Sequence, residues 1–342
     1  MAATIALGGV AGMAPAHAVQ TSQVHCEEGD SLQDAIDNAL SGSTLTITGT
    51  CRGTFTIGGK DLNLQGEPLA VLDGYSHPGT VITITSGEVQ LSNLVIKNGN
   101  TQNTRFKGGG INVNDDASLT LSASRITGNA AVSEEGGGGE GGGIYNEGSL
   151  TVTRSLITGN TAESGGGIYS LGGQVTLQNS RIARNTARFS GGGIESVGGG
   201  SGSLKLTASQ VANNNARGGD GGGIDNNGGS SLTLTSSTIS RNTASDNGGG
   251  INNSTSDFSV HGSLIALNHA RTGNGGGINT TDSDVKVMMS SLIALNLAVN
   301  GRGGGINNNS SLPGSGTVAL SASQVIGNRP DNCFSVANCP NP

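Results

Sequence analysis

From about residue 108 onward, one hydrophobic pattern recurs along the chain. Its first element is a pair of apolar residues flanking one other residue: Leu119-Thr120-Leu121, Leu150-Thr151-Val152, Val175-Thr176-Leu177, Leu204-Lys205-Leu206, Leu232-Thr233-Leu234, Phe258-Ser259-Val260, Val285-Lys286-Val287 and Val318-Ala319-Leu320. Alternation with period two predicts a strand with one buried face. The second element is an aliphatic residue followed three positions later by asparagine: Val95/Asn98, Ile126/Asn129, Ile157/Asn160, Ile182/Asn185, Val211/Asn214, Ile239/Asn242, Ile265/Asn268, Ile293/Asn296 and Val325/Asn328. The third is Gly-Gly-Gly-Ile, which occurs eight times, with its isoleucines at 111, 144, 168, 194, 224, 251, 278 and 306. Each period of 24–33 residues therefore holds three short strand-like pieces. A period in this range signals a solenoid.

Three short strands per turn, stacked in register, predict an all-β fold: a right-handed, three-sided parallel β-helix of roughly ten coils with an N-terminal capping helix. Coils at the strand spacing of ~4.8 Å would make a rod about 50 Å long. The Ile, Leu and Val columns would form inward stacks. The asparagines would form a ladder at a bend, each amide bonding its copy on the next coil, and Asn tolerates the left-handed backbone of a sharp corner. Insertions fall where Gly, Ser and Glu gather, as at Glu134 to Glu140. A disordered glycine-rich tract is the rival reading, but such a tract would not keep three apolar elements in phase.

The chain divides into four parts. Residues 1–18 are small and apolar and end in Ala16-His17-Ala18, which reads as a secretory signal without the usual basic start. Residues 19–44 form an N-terminal cap, 45–330 the β-helix and 331–342 a C-terminal tail. Ser31 to Leu40 is the one clear helix, with Leu32, Ala35, Ile36, Ala39 and Leu40 on one face and Ser31/Asp34 as a capping pair. The cysteines sit at the two ends, Cys26 and Cys51, then Cys333 and Cys339. Two local disulfides would staple the exposed ends of the array in an oxidising compartment. Four cysteines allow three connectivities. Metal binding, with His25 as the extra ligand, is the alternative.

Composition narrows the function. Net charge is −7 and the 17 Lys and Arg are scattered, which argues against a nucleic-acid partner. No apolar run reaches the ~18 residues of a transmembrane helix. There is no Trp, and aromatics are 2% of the chain, so the core must come from stacked aliphatics. No cofactor or metal motif is recognisable.

The helix followed by the strand run through Leu64-Gln65-Gly66 resembles the start of a right-handed β-helix of the pectin-lyase-like superfamily. The Gly-Gly-Gly-Ile and Ile-x-x-Asn alternation is similar to the repeats of polymorphic outer-membrane proteins, with Ile, Val or Leu where those have Phe. The tail Gly327-Asn-Arg-Pro-Asp-Asn-Cys333…Cys339 resembles secreted actinobacterial β-helix repeat proteins. The resemblance spans nearly all of 26–342, and it implies fold more than function. The polygalacturonase pattern is incomplete: only Asp115-Asp116 is present, and histidines 17, 25, 77, 261 and 269 lack its context. The pectate-lyase calcium cluster is not recognisable. The calcium nonapeptide fails at Gly223. No autotransporter barrel is part of the expectation.

Candidate chemistry lies in the residue after each repeated isoleucine. Alternation points it outward, giving an exposed stripe of Asn112, Tyr145, Tyr169, Glu195, Asp225, Asn252, Asn279 and Asn307. Tyr145 and Tyr169 offer flat faces for sugar rings. Glu195 and Asp225 would sit ~4.8 Å apart at the backbone, near the ~5–5.5 Å carboxyl separation of a retaining glycosidase. The outward Thr column could order water but is interrupted by Lys205 and Lys286. The glycine triplets read as a corner needing positive φ or close coil approach, or as a flat docking face. Arg125, Arg154, Arg181, Arg184 and Arg241 are expected to stay solvated. Together these readings predict a secreted or cell-surface binding protein directed at polysaccharide or cell envelope, of unspecified oligomeric state. A polysaccharide lyase or glycosidase and a structural spacer are the alternatives.

Overall fold

The computed structural model describes residues 21–75, 77–101, 107–133, 138–199, 201–310 and 316–340. The proposed signal segment 1–18 lies outside them. The chain is an all-β parallel β-helix, and its described residues form three sheets and one short α-helix.

One coil illustrates the build. Ile168–Leu171 forms the first strand, Gln174–Gln178 the second and Arg181–Ala183 the third, and Thr186–Ala187 adds a two-residue fourth. The sequence pattern does not reveal this Thr-Ala piece. Each strand pairs in parallel with its copy one coil on. Ile168 aligns with Ile194 and Ile194 with Ile224. Val175 aligns with Leu204, and Ile182 with Val211. The three isoleucines are fully buried, as are the other repeated aliphatics of these coils. Stacking like on like gives the core.

Two side-chain ladders hold the bends. Each ladder asparagine donates its amide to the next: Asn129 to Asn160, Asn160 to Asn185, Asn185 to Asn214, and onward through Asn242, Asn268 and Asn296 to Asn328. The same oxygens accept the backbone N–H of the asparagine one coil back. The left-handed residue is the one before the asparagine, not the asparagine itself: Arg184, Asn213, Arg241, Leu267 and Leu295 all have φ between 55° and 60°. The asparagine is kept in an ordinary conformation so that its amide can turn inward. The pair Val95/Asn98 is out of phase by one residue. Ile96 aligns with Ile126, and the backbone N–H of Gly99 reaches Asn129 Oδ1. A serine ladder at Ser124, Ser155, Ser180, Ser209, Ser237, Ser263 and Ser291 does the same at the preceding bend, each hydroxyl accepting a backbone N–H from the coil before.

Each end of the described rod carries its own closure. The helix Leu32–Asn38 has Ser31 as its N-cap, whose hydroxyl accepts from the Asp34 N–H, and it buries Leu32 and Ile36. Cys26 bonds Cys51, and Cys333 bonds Cys339. Cys333–Phe334 also pairs with the strand Ile306–Asn308, so the tail adds a last rung. No helix of the described residues is long and apolar enough to cross a membrane.

Candidate functional site

The predicted stripe exists as a column. Tyr145 aligns with Tyr169, Tyr169 with Glu195, Glu195 with Asp225 and Asp225 with Asn252. It is not exposed, which corrects the expectation. Tyr145 is 0%, Tyr169 8%, Glu195 8% and Asp225 4% accessible. The side chains do leave the coil's core, but the segment arriving at each strand folds over them. A Cβ placed on Gly165 would lie 2.7 Å from Tyr169 Cβ, and one on Gly191 2.5 Å from Glu195 Cβ. Gly191 has φ +64°, so position and conformation both call for glycine. The glycine triplets are thus a sheath over the column as well as a corner. A Cβ on Gly193 would meet the Gly223 carbonyl of the neighbouring coil at 2.6 Å.

Beneath the sheath the column is internally satisfied over most of its length. The tyrosine rings stack on each other, centroids 5.6 Å apart at 6°. The Lys107 ammonium lies 4.4 Å from the Tyr145 ring centre and donates to its hydroxyl, which donates to Glu147. Burial and the Glu147 carboxylate push the Tyr145 phenol upward, and burial raises Tyr169 as well. On the other side Asn252 donates to Asp225, Asn279 to Asn252 and Asn307 to Asn279, a second amide ladder ending on a carboxylate. Asn227 also donates to Asp225.

At Asn112 Oδ1 a buried acceptor lacks a partner, and Glu195 is a second exception. One of its carboxyl oxygens, Oε2, is buried without a hydrogen-bond partner. Burial and then the adjacent Asp225 carboxylate push it up to about 8. Burial likewise raises Asp225, to about 6, against the opposing pull of the Asn252 amide. Such a pair has the raised pKa values found in acid–base catalysts. It lacks the access to substrate that glycoside cleavage demands. Among the described residues, no cluster of three His, Cys, Asp or Glu is arranged to hold a metal ion.

An open surface lies elsewhere. A groove of about 830 Å³ runs along the rod where the second and third strands of successive coils meet at the serine bend. Leu69 and Val95 line one end. Repeated triplets line the rest: Ala123-Ser124-Arg125 with Thr127, Arg154-Ser155-Leu156, Asn179-Ser180-Arg181, Ala208-Ser209-Gln210, and finally Ser236 and Thr238. The bend supplies the concavity, because Ala123, Arg154, Asn179, Ala208 and Ser236 all take positive φ, between 46° and 50°. Arg125 and Arg181 occupy the same repeat position two coils apart, both aligned on Leu156. Arg125, Arg154 and Arg181 are exposed, and none makes an ion pair with a described residue. The lining contains no carboxylate and no imidazole. The arginines are scattered along the sequence, and only coil register brings them to one face.

No protein-family model matches the chain, and no curated protein sequence matches it. Similar solved structures include an alginate lyase from Paenibacillus sp. str. FPU-7, at 14% identity and TM-score 0.43, covering 90% of this chain and 96% of that one. A polygalacturonase from Erwinia carotovora ssp. carotovora aligns at 10% identity and TM-score 0.45 over 97% and 98%. The Dettilon tailspike protein aligns at 13% identity and TM-score 0.42 over 84% and 63%. These likenesses concern coil architecture alone, which the strand register establishes independently.

Proposed function

We propose that this β-helix is an extracellular protein that binds an anionic polysaccharide along the basic groove without cleaving it. The groove itself carries the reading: five successive coils, three exposed and unpaired guanidiniums, and no carboxylate in the lining. Guanidinium recognises carboxylate and sulfate by bidentate hydrogen bonds. Arg125 and Arg181, ~10 Å apart across two strand spacings, can each engage one acidic group of an extended chain. Serine, asparagine and glutamine between them supply sugar-hydroxyl partners. The two disulfides suit an oxidising, extracellular compartment. Binding is favoured over lysis or hydrolysis because the groove offers no group that titrates near neutrality, while the one raised carboxyl pair, Glu195 and Asp225, lies under the glycine sheath.

Calorimetric titration with oligogalacturonate and with a neutral oligosaccharide tests this. The acidic oligomer should bind with an affinity that falls as salt rises. Arg154→Glu with Arg181→Glu should cost at least about tenfold, since two charge-assisted contacts are reversed. Unchanged affinity in that variant would remove the groove from consideration. Release of unsaturated or reducing ends by the wild-type chain would replace binding with catalysis.

A further inference from the structure

The face that bears the groove changes character along the rod. The column through Arg125 runs Arg125, Leu156, Arg181, Gln210, Thr238, then Leu264 and Leu292, and ends at Gln324. The outward column two residues on runs through Thr127, Thr158, Ala183, Ala212 and Ser240 before Ala266, Ala294 and Ile326. The left-handed column beside the asparagine ladder runs Arg184, Asn213, Arg241, then Leu267 and Leu295. The first and third turn to leucine at the same coil, that of Leu264 and Leu267, while the middle column is already alanine at Ala183 and Ala212. Leu267 is 42%, Leu295 60% and Ile326 57% exposed. Leu295 leans across the next coil, its Cδ2 within 3.3 Å of where a Gly327 Cβ would stand. The inward columns do not change there, since Ile239, Ile265 and Ile293 remain buried aliphatics. Core stacking therefore does not explain the switch.

We infer that this face binds an amphiphile, an anionic sugar head in the arginine half continuing into an acyl or alkyl chain laid over Leu264, Leu267, Leu292, Leu295 and Ile326. The head-group half of this inference rests on the anionic-glycan reading of the groove. Charge complementarity fixes the orientation, because the last arginine of the face, Arg241, stands one coil before Leu267 in the same bend position. The area argues for a chain and against a second copy of the protein. A few half-exposed aliphatic side chains make a patch on the order of a few hundred Å², short of the ~800 Å² per partner of a stable dimer. The apolar run spans two to three coils, ~10–14 Å at the strand spacing, which suits an extended alkyl chain.

Dodecyl β-glucuronide below its critical micelle concentration is the probe, with dodecyl maltoside and oligogalacturonate alongside, titrated into the full chain. The glucuronide should bind at least about tenfold more tightly than the maltoside. Leu295→Ser with Ile326→Ser should weaken it by at least about tenfold, the loss expected when burial of two or three methylenes is forfeited, and should leave oligogalacturonate affinity and thermal midpoint unchanged. Both positions are exposed, so the variant should fold. The inference is overturned if the serine variant binds the glucuronide as tightly as wild type. It is equally overturned if no amphiphile binds, or if light scattering shows a dimer that the serine variant dissociates. Failure of oligogalacturonate alone to bind would sink the polysaccharide reading while leaving dodecyl glucuronide binding as support for the amphiphile.

Discussion

Glu195 makes the stability of this protein depend on pH in a direction opposite to that of most carboxylates. A carboxyl ordinarily near 4.5 is raised to about 8 in the folded chain, first by burial and then by Asp225. The native state therefore holds the proton more tightly than the unfolded state does. The stability linked to this group is fully present below about pH 4.5 and is lost as pH climbs through about 8. Asp225, raised to about 6, acts in the same direction over a lower window. The full linkage of Glu195 is on the order of 4 kcal/mol between pH 5 and 9, an upper figure because alkaline conditions admit water beneath the sheath. Glu195→Gln keeps the volume and removes the titration. It should be close to neutral at pH 5 and more stable than wild type by up to a few kcal/mol at pH 9. Guanidinium unfolding and amide exchange of the segment 191–227 at both pH values provide the assay. The exchange measurement isolates the affected coils, because a solenoid of this length need not unfold in one step. Parallel pH dependence of wild type and Glu195→Gln would refute the reasoning, because it would mean that the carboxyl is already ionised at pH 5 or reaches solvent.

Asn214 lies inside the ladder, donating to Asn242 Oδ1 and the Ile182 carbonyl and accepting the side-chain and backbone N–H groups of Asn185. Asn214→Ala should cost roughly 3–5 kcal/mol by leaving several buried groups unpaired, measured by denaturant unfolding, whereas the exposed neighbour change Asn213→Gly should be almost silent. Joint replacement of Cys26 and Cys51 by alanine should loosen the N-terminal cap by about 3 kcal/mol, the loop-closure value for a 25-residue separation; amide exchange should rise over residues 21–57 and stay unchanged beyond the middle coils.

The columns of this fold are legible in the sequence because each is written many times over. Ile-x-x-Asn and the alternating strand recur once per coil, so even irregular loops leave their phase visible. The ladder begins at Ile96 and Gly99, not at Val95 and Asn98, because that coil carries glycine at the ladder position and local spacing then misleads. The serine ladder is also in the text, two residues before each buried aliphatic of the third strand, but serine is too common in this chain for its phase to stand out. The stripe shows the limit of alternation as a rule. Period two states which side of the strand Glu195 occupies and says nothing about what the incoming backbone does. The available signal was glycine four residues earlier, at Gly141, Gly165, Gly191 and Gly221, a bare segment able to lie on the side chain. The groove was hidden for another reason. Its concavity comes from left-handed residues of no common type, Ala123, Arg154, Asn179, Ala208 and Ser236, and its arginines align only after the coils are counted.

A stacked coil separates two demands that a globular core mixes. Inward positions must match their copies above and below, so Ile157, Ile182, Val211, Ile239, Ile265 and Ile293 vary little and remain buried. The buried outward stripe obeys the same constraint in polar form, passing from stacked tyrosines to carboxylates to paired amides. Outward positions on the open face carry no such requirement, since an exposed Arg181 and a partly buried Leu292 occupy the same column on different coils. Variation there is free to follow a ligand. When two outward columns pass from arginine, glutamine and threonine to leucine at one coil while the buried aliphatics beneath them stay the same, the cause lies outside the core. Substitution on that face is accordingly expected to move binding while leaving folding untouched, and substitution of the ladders to do the reverse.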